Sequence, residues 1–257
     1  MNILFTICGR AGSKGFRNKN LKEMNDVPLV YYTMAVIEEY RRKHPWDYAD
    51  TVLNTDSEPL MKIVKEQKRM NVEFVTRTEE LAGDAVPKAD VIQDTYLVMK
   101  NNREYDAVID LDLTSPLRTV SDIENATAEY FKNPEYDLVY SVVKARRSPY
   151  FNMVQKSSDG YYHKVCKGNI TARQQVPECY ELNAGIYVYS PKFLSGSIEK
   201  PISEYKAGIS LMRDYLILDI DSEEDFKMME LLHRFYCSES PELDSIYRLA
   251  KDMNHYD

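Results

Sequence analysis

The stretch Ile3-Leu4-Phe5-Thr6-Ile7-Cys8-Gly9-Arg10-Ala11-Gly12-Ser13-Lys14-Gly15-Phe16-Arg17-Asn18-Lys19-Asn20 passes from a short apolar run into a turn rich in glycine and basic side chains. The run 3–8 predicts a buried first strand, 9–15 turns the chain, and 28–37 predicts a helix with Pro28 in its first turn. A glycine-rich turn between strand and helix lies where α/β sheets bind ligands. Its glycines let backbone N–H groups approach an anion closely, and the interleaved Lys and Arg neutralise it, so the composition suits a polyphosphate. The spacing excludes two common phosphate loops. A Walker loop ends in Gly-Lys-Ser/Thr, whereas Lys14 here precedes Gly15 and no Ser or Thr follows. The dinucleotide fingerprint is G-x-G-x-x-G, whereas Gly9, Gly12 and Gly15 are evenly spaced.

Outward from this turn, short apolar runs alternate with helical periods, which predicts an α/β chain of βαβ units. Strands are expected at 51–54, 72–75 and 107–113, and helices at 58–70, 89–100 and 121–131, the last capped by Ser121 ahead of Asp122 and Glu124. From 138 the rhythm changes. Strands are expected at 138–143 and 185–189, while 144–182 reads as loop and hairpin around an Asp159-Gly160 turn. A strand at 217–220 and helices at 223–236 and 245–253 close the chain. With no Pro-, Gly- or Ser-rich linker and no internal repeat, 1–257 reads as one domain carrying 144–182 as an excursion.

Composition narrows the function. At 44% hydrophobic and 29% charged residues, the chain is neither disordered nor of low complexity. A net charge of −8 argues against a nucleic-acid coat. Residues 1–22 nevertheless hold Arg10, Lys14, Arg17, Lys19 and Lys22 and no acid, and 144–175 holds Lys144, Arg146, Arg147, Lys156, Lys164, Lys167 and Arg173 against Asp159 alone. Such segments suit a focused field for a small anionic ligand; for 144–175 a solvated arm explains the charge equally well. No run of eighteen apolar residues and no secretory pattern are present, so the expected location is cytoplasmic, with no membrane partner. Cys8, Cys166, Cys179 and Cys237 form no C-x-x-C pair and read as reduced thiols, and His44, His163, His233 and His255 lack metal-ligand spacing.

Arg10, Ser13, Lys14, Gly15, Lys19 and Asn20 resemble the Arg-x-x-Ser-Lys-Gly-…-Lys-Asn loop of the acylneuraminate cytidylyltransferases, the CMP-sialic acid synthetase family. Further stretches follow in that family's order. Arg77-Thr78-Glu79-Glu80-Leu81-Ala82-Gly83-Asp84 is similar to Arg-Pro-x-x-Leu-Ala-x-Asp, with Thr78 in place of proline. Leu111-Asp112-Leu113-Thr114-Ser115-Pro116-Leu117-Arg118 resembles Leu-Gln-Pro-Thr-Ser-Pro-Leu-Arg, with Asp112 in place of a sugar-facing glutamine. Arg173-Gln174 and Asn183-Ala184-Gly185-Ile186-Tyr187 resemble Arg-Gln-x-x-Pro and Asn-x-x-Ile-Tyr, although the latter also reads as the start of a core strand. Leu218-Asp219-Ile220-Asp221 resembles Ile-Asp-Ile-Asp; alternation puts Asp219 and Asp221 on one face of a strand, while Ser222 before Glu223-Glu224-Asp225 makes a helix start.

The resemblance, which runs from residue 3 to about 232, implies a Rossmann-like three-layer nucleotidyltransferase fold with a mostly parallel mixed sheet and a protruding dimerisation hairpin region. It implies that the chain couples CTP to a nine-carbon 2-keto sugar acid, giving the CMP-sugar and pyrophosphate. Arg10, Lys14 and Lys19 would serve catalysis by neutralising the triphosphate, with Gly12, Ser13, Asn20 and Arg77 completing the nucleotide site. Lys88, Asp112, Thr114, Ser115, Arg173, Gln174, Asn183 and Tyr187 would meet the sugar, and Asp219 and Asp221 would hold Mg²⁺. Lys88 and Phe151 also depart from the family's residues near the sugar, and Lys88 could instead pair with Asp112. The family forms homodimers through an arm near 144–182. Eight-carbon acids, sugar 1-phosphates, or nucleotide binding without turnover are the competing functions.

Overall fold

The apolar run at the amino terminus forms β1 (Asn2–Cys8), and its alternation divides the core. Ile3, Phe5 and Ile7 pack into one layer and Leu4 into the other, so both faces of the strand are buried, as in a helix-covered sheet. A computed structural model describes residues 1–12, 15–170 and 172–254, without the side chains of Arg173 and Ile217.

The remaining elements are β2 (Glu23–Met24), β3 (Val27–Pro28), α1 (Leu29–Lys43), β4 (Tyr48–Thr55), α2 (Glu58–Glu66), β5 (Glu73–Thr76), α3 (Lys88–Met99), β6 (Ala107–Leu111) and α4 (Val120–Lys132). Then come β7 (Leu138–Lys144), β8 (Val154–Lys156), β9 (Tyr162–Lys164), β10 (Tyr180–Tyr189), α5 (Pro191–Leu194), β11 (Ala207–Leu211), α6 (Glu223–Glu239) and α7 (Pro241–Asn254). The main sheet has seven strands in the order β11-β7-β10-β6-β1-β4-β5. Only β10 runs antiparallel to its neighbours β6 and β7 in this sheet. The result is the expected mixed, mostly parallel, Rossmann-like sheet. After β1 the chain proceeds to β4 and β5 on one side and returns to β6 on the other. The crevice beyond the carboxyl ends of β1 and β6 is therefore a switch point, where such sheets bind ligands.

Several local expectations are corrected. The helix expected at 58–70 ends at Glu66, because the Gln67 side chain donates to the carbonyls of Val64 and Met70 and accepts from the N–H groups of Arg69 and Met70. The cap of α4 is Thr119, in a reciprocal box with Asp122, while Ser121 donates to Glu242 of α7. Residues 217–220 form no strand: Asp214–Ile217 is a 3-10 turn, and the sheet edge is taken by β11, parallel to β7. Gly208 explains why β11 is hard to foresee, since a side chain there would strike Tyr136. Strand β10 starts at Tyr180 and carries an irregularity between Leu182 and Tyr187, with Ala184 at φ 54°. The Asp159-Gly160 turn does close a hairpin, β8–β9, with Gly160 at φ 88°. Ser222 caps α6 in a box with Asp225. Among the described residues, no helix is long and apolar enough to cross a membrane.

Candidate active site

The segment after β1 is held as a loop by its own backbone and by β4. Thr55 Oγ1 donates to the Gly9 carbonyl, the Ala11 N–H donates to Asp56 Oδ1 (2.7 Å), and Asn20 Nδ2 donates to the Arg10 carbonyl (3.0 Å). Gly12 sits at φ 71°, a backbone state that favours glycine, and Gly9 passes so close to Leu60 and Leu113 that a side chain would overlap them. Ser13 and Lys14 lie outside the described residues. Beyond them the loop crosses to the far end of the chain. A Cβ on Gly15 would stand 3.0 Å from the Asp221 carbonyl, and Lys19 Nζ donates to the Ile220 carbonyl (3.0 Å) and to Asp221 Oδ1 (2.9 Å). The basic loop and the Asp219/Asp221 segment therefore meet directly.

Together they wall a cavity of about 290 Å³ that is lined by Arg10, Lys19, Asn20, Arg77, Lys88, Asp112, Thr114, Asp219 and Asp221, among others. Arg77 is buried and fixed by bonds from Nε to Asn54 Oδ1 (2.8 Å) and from Nη2 to the Asn54 carbonyl (3.2 Å). Arg10 is ion-paired across the cavity mouth with Asp84. In the same cavity, Lys88 Nζ lies 2.6 Å from Asp112 Oδ2 and 2.7 Å from Asp110 Oδ2, so the pairing with Asp112 is present and a second carboxylate shares it. Burial alone would lower the Lys88 ammonium, but the two carboxylates outweigh it and hold its pKa well above the ordinary value. Burial would likewise raise the Asp112 carboxyl, but Lys88 and the Thr114 N–H and hydroxyl hold it well below the usual range. Asp219 is raised, by burial first and then by the charge of Asp112, with Asp221 adding to it; Thr114 and Lys19 oppose the shift.

Other expected residues lie elsewhere. Ser115 and Asn183 are buried behind the wall, Asn183 Oδ1 accepting from Ser141 Oγ (2.6 Å). Tyr187 faces a second cavity of about 510 Å³ on the other side of Lys88. Gln174 is exposed in the turn Arg173–Gln175, the Arg173 side chain lies outside the described set, and Phe151 lines a separate cavity beside Lys144 and Arg147. Asp219 and Asp221 sit on an irregular segment, not a strand face, and the Asp219 carboxylate accepts from the Ile220 N–H (2.8 Å). Sequence reasoning assigned no role to Asp84, Asp110 or Arg118. Arg118, 1% exposed, donates to the carbonyls of Gly185 (2.7 Å) and Asp112 (2.5 Å) and to Thr33 Oγ1 (2.6 Å), and so fixes the backbone that carries Asp112. The readable signal for Asp110 was a carboxylate inside the apolar run 107–111.

The donor set can be tested for a divalent cation. Among the described residues, no cluster of three or more His, Cys, Asp or Glu could hold an ion alone. Asp219 and Asp221 supply hard oxygens to the lining of one cavity. That fits an ion such as Mg²⁺, which takes one or two carboxylates and completes its shell with phosphate oxygens and water.

Comparison with known proteins identifies the family. A cytidylyltransferase family model matches residues 4–239. The chain is 36% identical over 232 residues to the post-translational flagellin modification protein B of Campylobacter coli, covering 90% of this chain and 94% of that one. It is 34% identical, with the same coverage, to a CMP-N,N'-diacetyllegionaminic acid synthase of Campylobacter jejuni. Among solved structures, a CMP:2-keto-3-deoxy-manno-octonic acid synthetase in complex with CTP matches with a TM-score of 0.63 at 14% identity, covering 92% of this chain and 100% of that one, which bears on the fold alone. From a family match spanning nearly all of its length and relatives above 30% identity along almost their whole chains, this protein belongs to the cytidylyltransferase family, enzymes of the nucleotidyltransferase class.

Proposed function

We propose that the protein transfers the cytidylyl group of CTP to the anomeric C2 hydroxyl of a nine-carbon 2-keto sugar acid, releasing pyrophosphate. The observation that carries this reading is the Lys19 ammonium bonded to the Ile220 carbonyl and the Asp221 carboxylate, which joins a polyphosphate loop to a carboxylate pair in one cavity. The relative named for N,N'-diacetyllegionaminic acid, matched along nearly its full length, supports a nine-carbon acid.

In this reaction the sugar C2 oxygen bonds to the α-phosphorus as the bond to the β-phosphate bridge breaks, and the hydroxyl proton passes to solvent. Phosphoryl chemistry of this kind needs positioning and charge neutralisation more than covalent help. Arg10 and Lys19, with Lys14, hold the triphosphate and offset the charge that grows on the leaving pyrophosphate. Arg77 and Asn20 place the nucleoside, and the fixed Arg77 guanidinium costs little ordering on binding. Asp219 and Asp221 would hold Mg²⁺, which when bound neutralises phosphate oxygens and acidifies the attacking hydroxyl. We also propose that a homodimer forms through 144–182, where Met153, Val154, Tyr161 and Tyr162 are exposed; light scattering that finds a monomer at micromolar concentration would refute that.

The test is pyrophosphate release with CTP, Mg²⁺ and a panel of nine- and eight-carbon sugar acids, repeated with ATP, GTP and UTP. Release with CTP and a nine-carbon acid is expected. Binding of CTP with no release across the panel would refute turnover, and release only with the eight-carbon acid would reassign the substrate.

A further inference from the structure

Two local rules are broken side by side at the cavity wall. Asp110 is a fully buried carboxylate in the middle of β6, between Ile109 and Leu111, where burial of an isolated charge is costly. Lys88 is the first residue of α3, where a cation opposes the helix dipole and Pro87 supplies no side-chain cap. Violations of this kind mark functional sites more often than accidents of packing. Here each explains the other, since Asp110 Oδ2 lies 2.7 Å from Lys88 Nζ. Asp110 is itself fixed by the adjacent strand, Thr6 Oγ1 donating to Oδ1 at 2.9 Å. An ammonium has three N–H donors in rotatable positions. Asp112 Oδ2 takes one of them, Asp110 Oδ2 stands against the ammonium as an ion pair, and Lys88 lines both the main cavity and the one beside Tyr187, with Nζ 5.6 Å from that ring.

We infer that Asp110 is a positioning residue that holds the Lys88 ammonium as a fixed donor between the two cavities, and that Lys88 so held discriminates the acidic sugar. The inference rests on the sugar-acid reading above. In the proposed reading the triphosphate is held by Arg10 and Lys19 and not by Lys88, so the effect of Asp110 is expected on the sugar and not on CTP. Without Asp110 the ammonium retains Asp112 but loses its second anchor, so its donor is no longer aimed. Losing one buried charge contact of this type corresponds to about tenfold or more in binding.

The test is a double-mutant cycle of Asp110→Asn, Lys88→Met and the pair. Asp110→Asn is expected to raise KM for the sugar acid about tenfold, with kcat and KM for CTP within about twofold of the parent. In the Lys88→Met background the same change is expected to raise the sugar KM no further, because the residue it positions is gone. An equal effect in both backgrounds, or an equal rise in KM for CTP, overturns the inference. A second readout is independent of turnover: the ¹⁵N resonance of the Lys88 ammonium in lysine-labelled protein, assigned by its absence from Lys88→Met. A slowly exchanging signal in the parent that is lost in Asp110→Asn supports the anchoring; a signal unchanged in Asp110→Asn refutes it. Should the parent turn over no sugar acid, the proposed function is what fails, and the resonance alone decides whether Asp110 holds Lys88.

Discussion

Replacing Lys19 with alanine separates what this residue does for the fold from what it does for the reaction. In the folded protein its ammonium donates to the Ile220 carbonyl at 3.0 Å and to Asp221 Oδ1 at 2.9 Å. The Lys19 side chain is 20% exposed but its partner Asp221 is 76% exposed, so solvent screens the pair. Exposed pairs contribute about 0–1 kcal/mol, and for a chain of this size that corresponds to a fall in Tm of no more than about 4 °C. Against the charge that develops on departing pyrophosphate, the same ammonium acts from a fixed position. Loss of one such preorganised donor costs on the order of 10²–10³ in kcat, about 2.7–4 kcal/mol of barrier. The expected outcome for Lys19→Ala is therefore a protein that melts nearly where the parent does and releases pyrophosphate at least about 100-fold more slowly. Calorimetric melting and a coupled pyrophosphate assay at saturating CTP measure the two quantities. A rate within about tenfold of the parent, or a Tm loss large enough to account for inactivity, would refute the assignment of Lys19 to the phosphates.

Other consequences follow from the same geometry. Arg118→Met leaves Thr33 Oγ1 without its donor and leaves the Gly185 and Asp112 carbonyls only their longer bonds from the Asp112 N–H (3.4 Å) and Thr33 Oγ1 (3.3 Å); at about 1–3 kcal/mol for an unsatisfied buried group, a loss of at least about 1 kcal/mol and a Tm lower by at least roughly 2 °C are expected, and an unchanged Tm would contradict the structural role. His233 is buried beside Tyr32 and Tyr247, with Nδ1 facing the Asn25 amide nitrogen, and burial followed by the charge of Arg234 pushes its pKa down to about 4 from 6.5. Between those values the unfolded chain binds a proton that the folded chain refuses, so the contribution to stability falls as pH drops from about 6.5 to about 4. Parent minus His233→Phe, followed as Tm against pH, is expected to decline over that window, and a flat difference would place a charged histidine in the fold.

Much of this was legible in the sequence because the signals were local. Strand β1 and the following turn announced themselves by an apolar run and glycine spacing, and the capping box at Ser222 needed only four residues. Errors arose where a distant partner decides. Thr119 outcompetes Ser121 as a cap because Asp122 returns its bond, leaving Ser121 for Glu242 far along the chain. The Asp219/Asp221 segment alternates like a strand but finds no ladder, since β11 occupies the edge beside β7. Asp110 escaped notice for the same reason: its meaning lies in Lys88, on another element, and no short motif links them.

If the proposed function holds, the amino-terminal loop and the Asp219/Asp221 segment bind one magnesium triphosphate between them. Titration calorimetry of CTP against the parent, Lys19→Ala and Asp219→Asn, each with and without Mg²⁺, measures this directly. The expected result is one CTP per chain, weaker binding in both variants, and an Mg²⁺ dependence that is strong in the parent and lost in Asp219→Asn. CTP affinity that is indifferent to Mg²⁺ and equal in all three proteins would contradict it.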